Sequence, residues 1–335
     1  MADVFGLNPT SLGQINEAGS DLALFLKLFS GEVLTTYREN LTTEGTVMTH
    51  TVPQGAKSSQ FRLMGEGSVA RHVAGKNVLV DDDPDGAKYL TQIKQGEREV
   101  FLDRPLIAVT TVDNWEEARN SFQARQPIAM ELARQLAKRT DRDRLLLMIK
   151  AAGASLDSTS SYPTAWATSG TKVTDANAGT DGSALLDSIR QIEEAFSDAD
   201  VPEMDRHVAL KPTHYNLLVQ NQDLLNRDFN TDNGIFSDGT VYRAWGMMLH
   251  KTTNIPTTNL LSDDQTGVNG EDYAVDARNT VAVAWQSEGF ASAEAEAIGV
   301  EAEDKIELQG ALILGKVVSG HEIIRPVNFG WIVTA

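Results

Sequence analysis

Residues 128–152 read IAMELARQLAKRTDRDRLLLMIKAA. Ala, Leu, Arg, Lys, Gln and Glu are strong helix formers, and neither Gly nor Pro interrupts the run. Ile128, Leu132 and Leu136 recur at helical spacing, and Leu145, Met148 and Ile149 follow further on. Upstream of Pro127, Trp115, Ala118 and Phe122 carry a similar pattern. A continuous helix from Asn114 to about Ala152 would extend roughly 58 Å. Pro127 lacks a backbone donor and clashes with the preceding turn, which predicts a kink or two helices meeting there. The stretch holds eight basic and five acidic residues, a local basic stripe in an acidic chain.

Before this helix, residues 46–112 read as strands and turns. Val47 to Val52, Ser59 to Leu63, Val69 to Val73, Glu97 to Asp103 and Leu106 to Val112 are β-prone. Pro53-Gln54-Gly55, Gly65-Glu66-Gly67, Gly75-Lys76-Asn77 and Asp81-Asp82-Asp83-Pro84-Asp85-Gly86 supply turn chemistry between them. A long, thin β excursion is expected rather than a compact sandwich. At the N-terminus, residues 1–19 read as an arm. Ser20 then caps a helix in which Leu22, Phe25, Leu26, Phe29 and Val33 share a face. That face packs either into the chain's own core or onto a neighbouring subunit, and the residues alone favour neither.

After the helix, residues 153–182 read as a loop rich in Ser, Thr, Gly and Ala. Leu185, Ile189, Ile192 and Phe196 mark a second helix. Arg206 to Leu210 reads as a strand, and Pro212 starts a helix through Tyr215, Leu218 and Val219. Tyr242 to His250 and Thr280 to Trp285 read as further strands, making an α/β unit of the middle region. Residues 292–307 hold six acids and one lysine, and Leu308 to Val333 reads as strands separated by Gly310, Gly315 and Gly320.

Composition narrows the function. The 335 residues carry 47 Asp and Glu against 29 Lys and Arg, a net charge of −18, so autonomous nucleic-acid binding through a basic surface is disfavoured. With no cysteine, disulfides, thiolate nucleophiles and Cys-ligated metals are excluded. Met1-Ala2-Asp3-Val4-Phe5 has no basic leader, and Lys27 breaks the longest apolar run, Leu22 to Phe29. A soluble protein, cytoplasmic when made and without a membrane partner, is expected.

Catalytic patterns fail on inspection. Gly65-x-Gly67-x-x-Ala70 is not followed by a helical sequence, and Gly75-Lys76 lacks the rest of a phosphate loop. His321-Glu322-Ile323-Ile324-Arg325 lacks the second histidine of a metalloprotease helix and reads as a strand. Gly153-Ala154-Ser155-Leu156-Asp157 fails as a nucleophile elbow. Asp81 to Asp85 lacks the ligand spacing of a calcium loop and reads as a solvated turn, with a subunit contact as the rival. No catalytic residue, cofactor or metal is therefore proposed.

Four stretches resemble one family. Phe25-Leu26-Lys27-Leu28-Phe29-Ser30-Gly31-Glu32-Val33-Leu34 is similar to the N-terminal helix of the major capsid proteins of T-seven-like short-tailed (podovirus) bacteriophages, and Gly55-Ala56-Lys57-Ser58-Ser59-Gln60-Phe61 to the start of their extended loop. The helix through Glu131-Leu132-Ala133 resembles their spine helix. Val208-Ala209-Leu210-Lys211-Pro212 and the stretch from Gly246 to Pro256 resemble axial-domain elements of tailed-phage capsid proteins in general.

The resemblance implies an α+β chain with the Hong Kong ninety-seven-like phage capsid fold. Residues 1–45 would be the arm with its amphipathic helix and 46–105 the extended β loop. Residues 106–155 and 292–335 would form the peripheral domain with the spine helix and sheet, and 156–291 the axial domain. It implies hexamers and pentamers of an icosahedral shell assembled in the host cytoplasm, with partners in a scaffolding protein, a portal protein and a decoration or minor capsid protein. The shell would enclose packaged double-stranded DNA in the virion without sequence-specific binding.

Within that reading Leu22, Phe25, Leu26, Phe29, Phe61, Asp81, Asp82 and Asp83 are candidates for subunit interfaces. Pro127 is a candidate hinge between precursor and mature shells, and Arg134, Lys138 and Arg142 are candidates for facing scaffold or DNA. Lysine–asparagine cross-linking finds no support. Rival readings are an encapsulin-like nanocompartment shell and, in another class, an acidic soluble metal-dependent hydrolase built around Asp81 to Asp85.

Overall fold

The computed structural model describes residues 41–53, 55–64, 69–72, 74, 78, 95–113, 125–153, 169–221, 234–235, 240–261, 273–295, 299–305, 307 and 309–335. Four strands come first: β1 (Met48–Val52), β2 (Ser58–Met64), β3 (Gln95–Phe101) and β4 (Leu106–Asp113). The long helix α1 (Arg125–Gly153) follows, then β5 (Thr171–Thr174), α2 (Gly182–Asp198), β6 (Arg206–Leu210) and α3 (Pro212–Val219). Short strands β7 (Gly234–Ile235), β8 (Thr240–Val241) and β9 (Arg243–Ala244) lead to β10 (Met247–Lys251). The last six are β11 (Thr280–Gln286), β12 (Phe290–Ala295), β13 (Gly299–Lys305), β14 (Gly310–Val317), β15 (Ser319–Ile323) and β16 (Phe329–Val333).

Helix α1 spans about 43 Å and bridges two sheets. Its first half is amphipathic: Ala133, Leu136 and Ala137 pack with Leu41, Val112, Ile313 and Val317 beneath the sheet β13-β14-β4. In its second half Leu145 to Ile149 are all buried, packing with Trp285, Phe290, Phe329 and Trp331. That half runs across the six-stranded sheet, order β5-β16-β11-β6-β10-β9. Helices α2 and α3 cover the opposite face, with Leu185, Ile189, Ile192, Phe196 and Leu218 meeting Val208, Leu210, Ala282, Ala284 and Ile332. With helices on both faces, β6 and β11 are buried at every residue. No helix among the described residues is long and apolar enough to cross a membrane.

The excursion is a two-stranded ladder, β2 with β3, from Ser58↔Phe101 to Met64↔Gln95. Its foot rests on a third sheet, β1-β12-β15, through Val52, Phe61, Leu63, Val100, Ala291, Ala293 and Ile324. Strand β1 pairs in parallel with β12 and so lies in the body rather than in the excursion.

Several expectations are corrected. Residues 69–72 form no strand, and Val69 is 99% exposed, without a partner strand to cover it. The stretch 242–250 is a hairpin rather than one strand: Trp245 and Gly246 both take positive φ, the conformation a tight two-residue turn requires. The 153–182 loop contains β5, added in parallel to β16. Gly315 and Gly320 lie inside β14 and β15 instead of separating strands. Pro127 falls in the first turn of α1, where its missing N–H has no intrahelical acceptor to lose. The expected kink needs helix before it, and 114–124 lie outside the described residues. Strand β16 pairs with β11 and β5 and ties residues 329–333 into the six-stranded sheet.

Gly320 is needed for close approach. A Cβ built there would lie 1.7 Å from the carbonyl oxygen of Phe101, where the excursion joins the body. At Gly315 the nearest atom, Leu136 Cδ1, would be an ordinary 3.4 Å away. Gly320→Ala is expected to cost about 3 kcal/mol or more by displacing the foot of the ladder, and Gly315→Ala less than about 1 kcal/mol. Urea midpoints of the two variants check the contrast.

Candidate assembly surfaces

Where the chain enters the described body, residues 41–47 are fastened by a buried polar cluster on α1. The Asp141 carboxylate accepts from the Thr42 and Thr43 backbone N–H groups at 2.8 and 3.2 Å, from Thr43 Oγ1 at 2.7 Å and from Asn254 Nδ2 at 2.9 Å. One turn on, the fully buried Arg144 donates to Thr43 Oγ1 at 2.8 Å, Ser292 Oγ at 3.3 Å and Glu294 Oε1 at 2.6 Å. Trp285 Nε1 closes the other end by donating to the Thr46 carbonyl. Leu41 and Val47 drop into separate apolar clusters on either side. The segment that continues from residues 1–40 is thus held at a fixed point on the spine helix.

Asp143 shares the helix and is also buried. Burial pushes its carboxyl up to about 6, against the Arg139 guanidinium at 3.1 Å. On the neighbouring sheet, His207 Nδ1 lies 3.0 Å from His250 Nε2, and both rings stack on Trp285. Burial first, and then His250, push His207 down to about 4, while Asp205 opposes the shift. Burial lowers His250 as well. His321, fully buried between Ser292 and Ser319, is held well below the usual imidazole range by burial and then by Arg144.

The foot of the excursion is clamped separately. Arg98 Nη2 donates to Glu322 Oε1 at 2.6 Å, the Leu102 N–H to the Lys57 carbonyl at 3.0 Å, and the Asp103 N–H to the Ser319 carbonyl at 3.1 Å. Tyr273 Oη donates to the Asp103 carboxylate. Met64, at the ladder's outer end, and Val69 and Val78, which follow it in sequence, are exposed.

Of the residues singled out from sequence, Leu22, Phe25, Leu26, Phe29 and Asp81 to Asp83 lie outside the described residues. Phe61 is not at a free surface: it is 5% exposed, stacked on His50 and packed into the foot cluster, because β2 alternates and Phe61 and Leu63 face inward. Arg134 is exposed, with Glu131 at 3.8 Å. Lys138 is half-buried, and the half-buried Arg142 donates to Thr258 Oγ1 at 3.4 Å. The three cations therefore differ in exposure. The buried Asp141–Arg144 cluster and the His207–His250 pair were missed. The uninterrupted apolar run Leu145 to Ile149 was the available signal, since a helix buried all round there must also enclose the polar residues beside it.

The architecture matches solved shells. The capsid structure of the cyanophage P-SCSP1u superposes with a TM-score of 0.71 over 98% of this chain and 99% of that one, at 24% identity. The mature capsid of bacteriophage PhiM1 gives 0.66 at 16% identity, over 87% of this chain and 86% of that one. A virus-like particle from Pyrococcus furiosus gives 0.52 at 11% identity, covering 92% of this chain and 99% of that one. The fold is thus the α+β fold of phage capsid subunits.

A family model, Gp10A-like major capsid protein, matches residues 63–333, and the chain belongs to that family. The major capsid protein of Escherichia phage T7 is 34% identical over 124 residues, 37% of this chain, and the chain spans about a third of that relative, 33% of its length. Membership makes this a structural protein of the capsid class.

Arg144→Met should cost about 3–5 kcal/mol by leaving Glu294 and the Thr43 and Ser292 hydroxyls without their buried partner, whereas Arg134→Gln should stay within about 1 kcal/mol. Urea midpoints of the two variants test this. The unfolded chain protonates His207 near pH 6.5 and the folded chain only near 4. Stability from this group is therefore intact above pH 6.5 and lost as pH falls toward 4. Asp143 has the opposite sign, adding stability as pH falls from about 6 toward 3.8. His207→Gln should accordingly shrink the acid-induced drop in urea midpoint between pH 6.5 and 4.

Proposed function

We propose that the chain is the major shell subunit of a tailed, podovirus-type phage, assembling as hexamers and pentamers into an icosahedral capsid that encloses double-stranded DNA. The observation that carries this is the family match over 63–333 on a body whose excursion leaves Met64, Val69 and Val78 uncovered by its own described residues. Apolar side chains left exposed in this way gain free energy only when a neighbour buries them. Assembly in the host cytoplasm, a scaffolding protein, a portal protein and a decoration or minor capsid protein belong to the same proposal. So does the division into arm, extended loop, peripheral and axial parts, with β16 bridging the last two.

Leu22, Phe25, Leu26 and Phe29 anchor the arm on other shell elements in this reading, and Asp81 to Asp83 meet a neighbouring subunit. Pro127 serves as the hinge of the spine, and Arg134, Lys138 and Arg142 face scaffold or DNA. An encapsulin-like shell shares the fold, but the family match favours the phage role over it and over a hydrolase. Subunits of net charge −18 repel, so assembly should depend on salt screening.

Expressed with its scaffolding protein, the chain should form closed shells in negative-stain micrographs and sediment as particles. A stable single molecule under those conditions overturns the proposal. Phe25→Ser with Phe29→Ser should lower shell yield at least about tenfold, the effect of removing two anchors of about 1.5–3 kcal/mol each. Normal yield would remove the arm from the assembly contacts.

A further inference from the structure

His321 lies on β15, 2% exposed, between two serines. Its Nδ1 is 3.0 Å from Ser292 Oγ on β12, and its Nε2 is 3.4 Å from Ser319 Oγ. The direction of this chain of hydrogen bonds is fixed from its far end. Arg144 can only donate: its Nη2 donates to Ser292 Oγ at 3.3 Å and its Nη1 to Thr43 Oγ1 at 2.8 Å. The Ser292 hydroxyl proton therefore turns to Nδ1, and the neutral ring carries its proton on Nε2, facing Ser319. The Ser319 carbonyl in turn accepts the Asp103 N–H at 3.1 Å, where the excursion joins the body. One buried imidazole thus stands between the fastening of residues 41–47 and the foot of the β2–β3 ladder.

A second proton on this ring reverses the chain. Nδ1–H and Arg144 would both donate to Ser292 Oγ, whose own hydroxyl proton, in a fully buried residue, would lose its acceptor. Two cations would then meet at one hydroxyl. The charged groups around them are Arg144 and Asp141 on α1, Glu294 on β12, Asp103 after β3, and Glu322, next along β15. Asp141 is taken by Thr42, Thr43 and Asn254, Glu294 by Arg144, Asp103 by Tyr273 and Glu322 by Arg98. The entering segment contributes Thr43 and the exposed Glu44. Each of these carboxylates except Glu44 therefore already holds a partner of its own, while burial and then Arg144 keep the ring neutral. We propose that His321 is a proton-operated latch: neutral, it holds residues 41–47 and the foot of the excursion together, and protonated, it releases both.

The latched ring stays neutral and the released ring protonates near its ordinary 6.5, so opening should rise about tenfold per pH unit below that value. The chain has no cysteine, so single thiols report the opening. Val47→Cys on the entering segment, Val100→Cys at the foot and Val281→Cys in the six-stranded sheet are made separately in the full-length chain. Reaction with a disulfide reagent is followed from about pH 7 to about 4.5, relative to the same chain unfolded in urea at each pH. The thiols at positions 47 and 100 should gain at least about tenfold over the one at 281. His321→Gln keeps an acceptor and a donor without titrating in this range, and it should abolish the gain. Ser292→Ala cuts only the link to Arg144, and it should abolish the gain at 47 while keeping it at 100. His207, stacked on the Trp285 ring that holds the Thr46 carbonyl, is the other acid-sensitive group near the segment. Equal gain at all three positions, a gain that survives His321→Gln, or one that disappears instead with His207→Gln overturns the latch. So does a response that Ser292→Ala leaves equal at 47 and 100.

Discussion

The fastening of Thr42 and Thr43 to Asp141 and Arg144 is the constraint on which the architecture turns. It sits midway along α1, between the half that packs under the β13-β14-β4 sheet and the half that crosses the six-stranded sheet. Arg144 also reaches Ser292 and Glu294 on β12, so one guanidinium joins the incoming chain, the spine helix and the sheet that carries the excursion. A buried, hydrogen-bonded charge tolerates little displacement, because each lost partner leaves a desolvated polar group behind. Residues 41–47, α1 and the β1-β12-β15 sheet therefore share one reference point.

From that point the entering segment and the excursion differ in how they are held. Residues 41–47 are fixed by polar contacts, whereas the foot of the excursion combines an apolar cluster with the Arg98–Glu322 pair and the close approach at Gly320. A shell subunit needs its projections aimed before they meet a neighbour, since ordering them at the moment of contact would subtract from the binding free energy. The clamped foot of the excursion, with Met64 exposed at the ladder's outer end, satisfies that requirement.

Net charge works against indiscriminate association. At −18 per chain, approach of two copies is unfavourable at low ionic strength, which suppresses indiscriminate aggregation.

Much of this was legible in sequence. Strand Arg206–Leu210 and the helix opened by Pro212 fall where their patterns place them, as does α2 on Leu185, Ile189, Ile192 and Phe196, because local periodicity and capping chemistry decide such elements. The family resemblance likewise lay in short contiguous motifs and was shown by the match over 63–333. What sequence could not decide was pairing over long separations. That β1 joins β12 in parallel, that β16 enters the sheet of β11 and β5, and that Phe61 turns inward all depend on contacts between residues far apart in the chain. The burial of Asp141 and Arg144 is the clearest case, since charged residues on a helix read as solvated until two sheets and the Thr42–Thr43 segment are seen to close over them. Helix and strand content follows from neighbours in sequence, while the sign and accessibility of each charged surface follow from which distant elements share a wall.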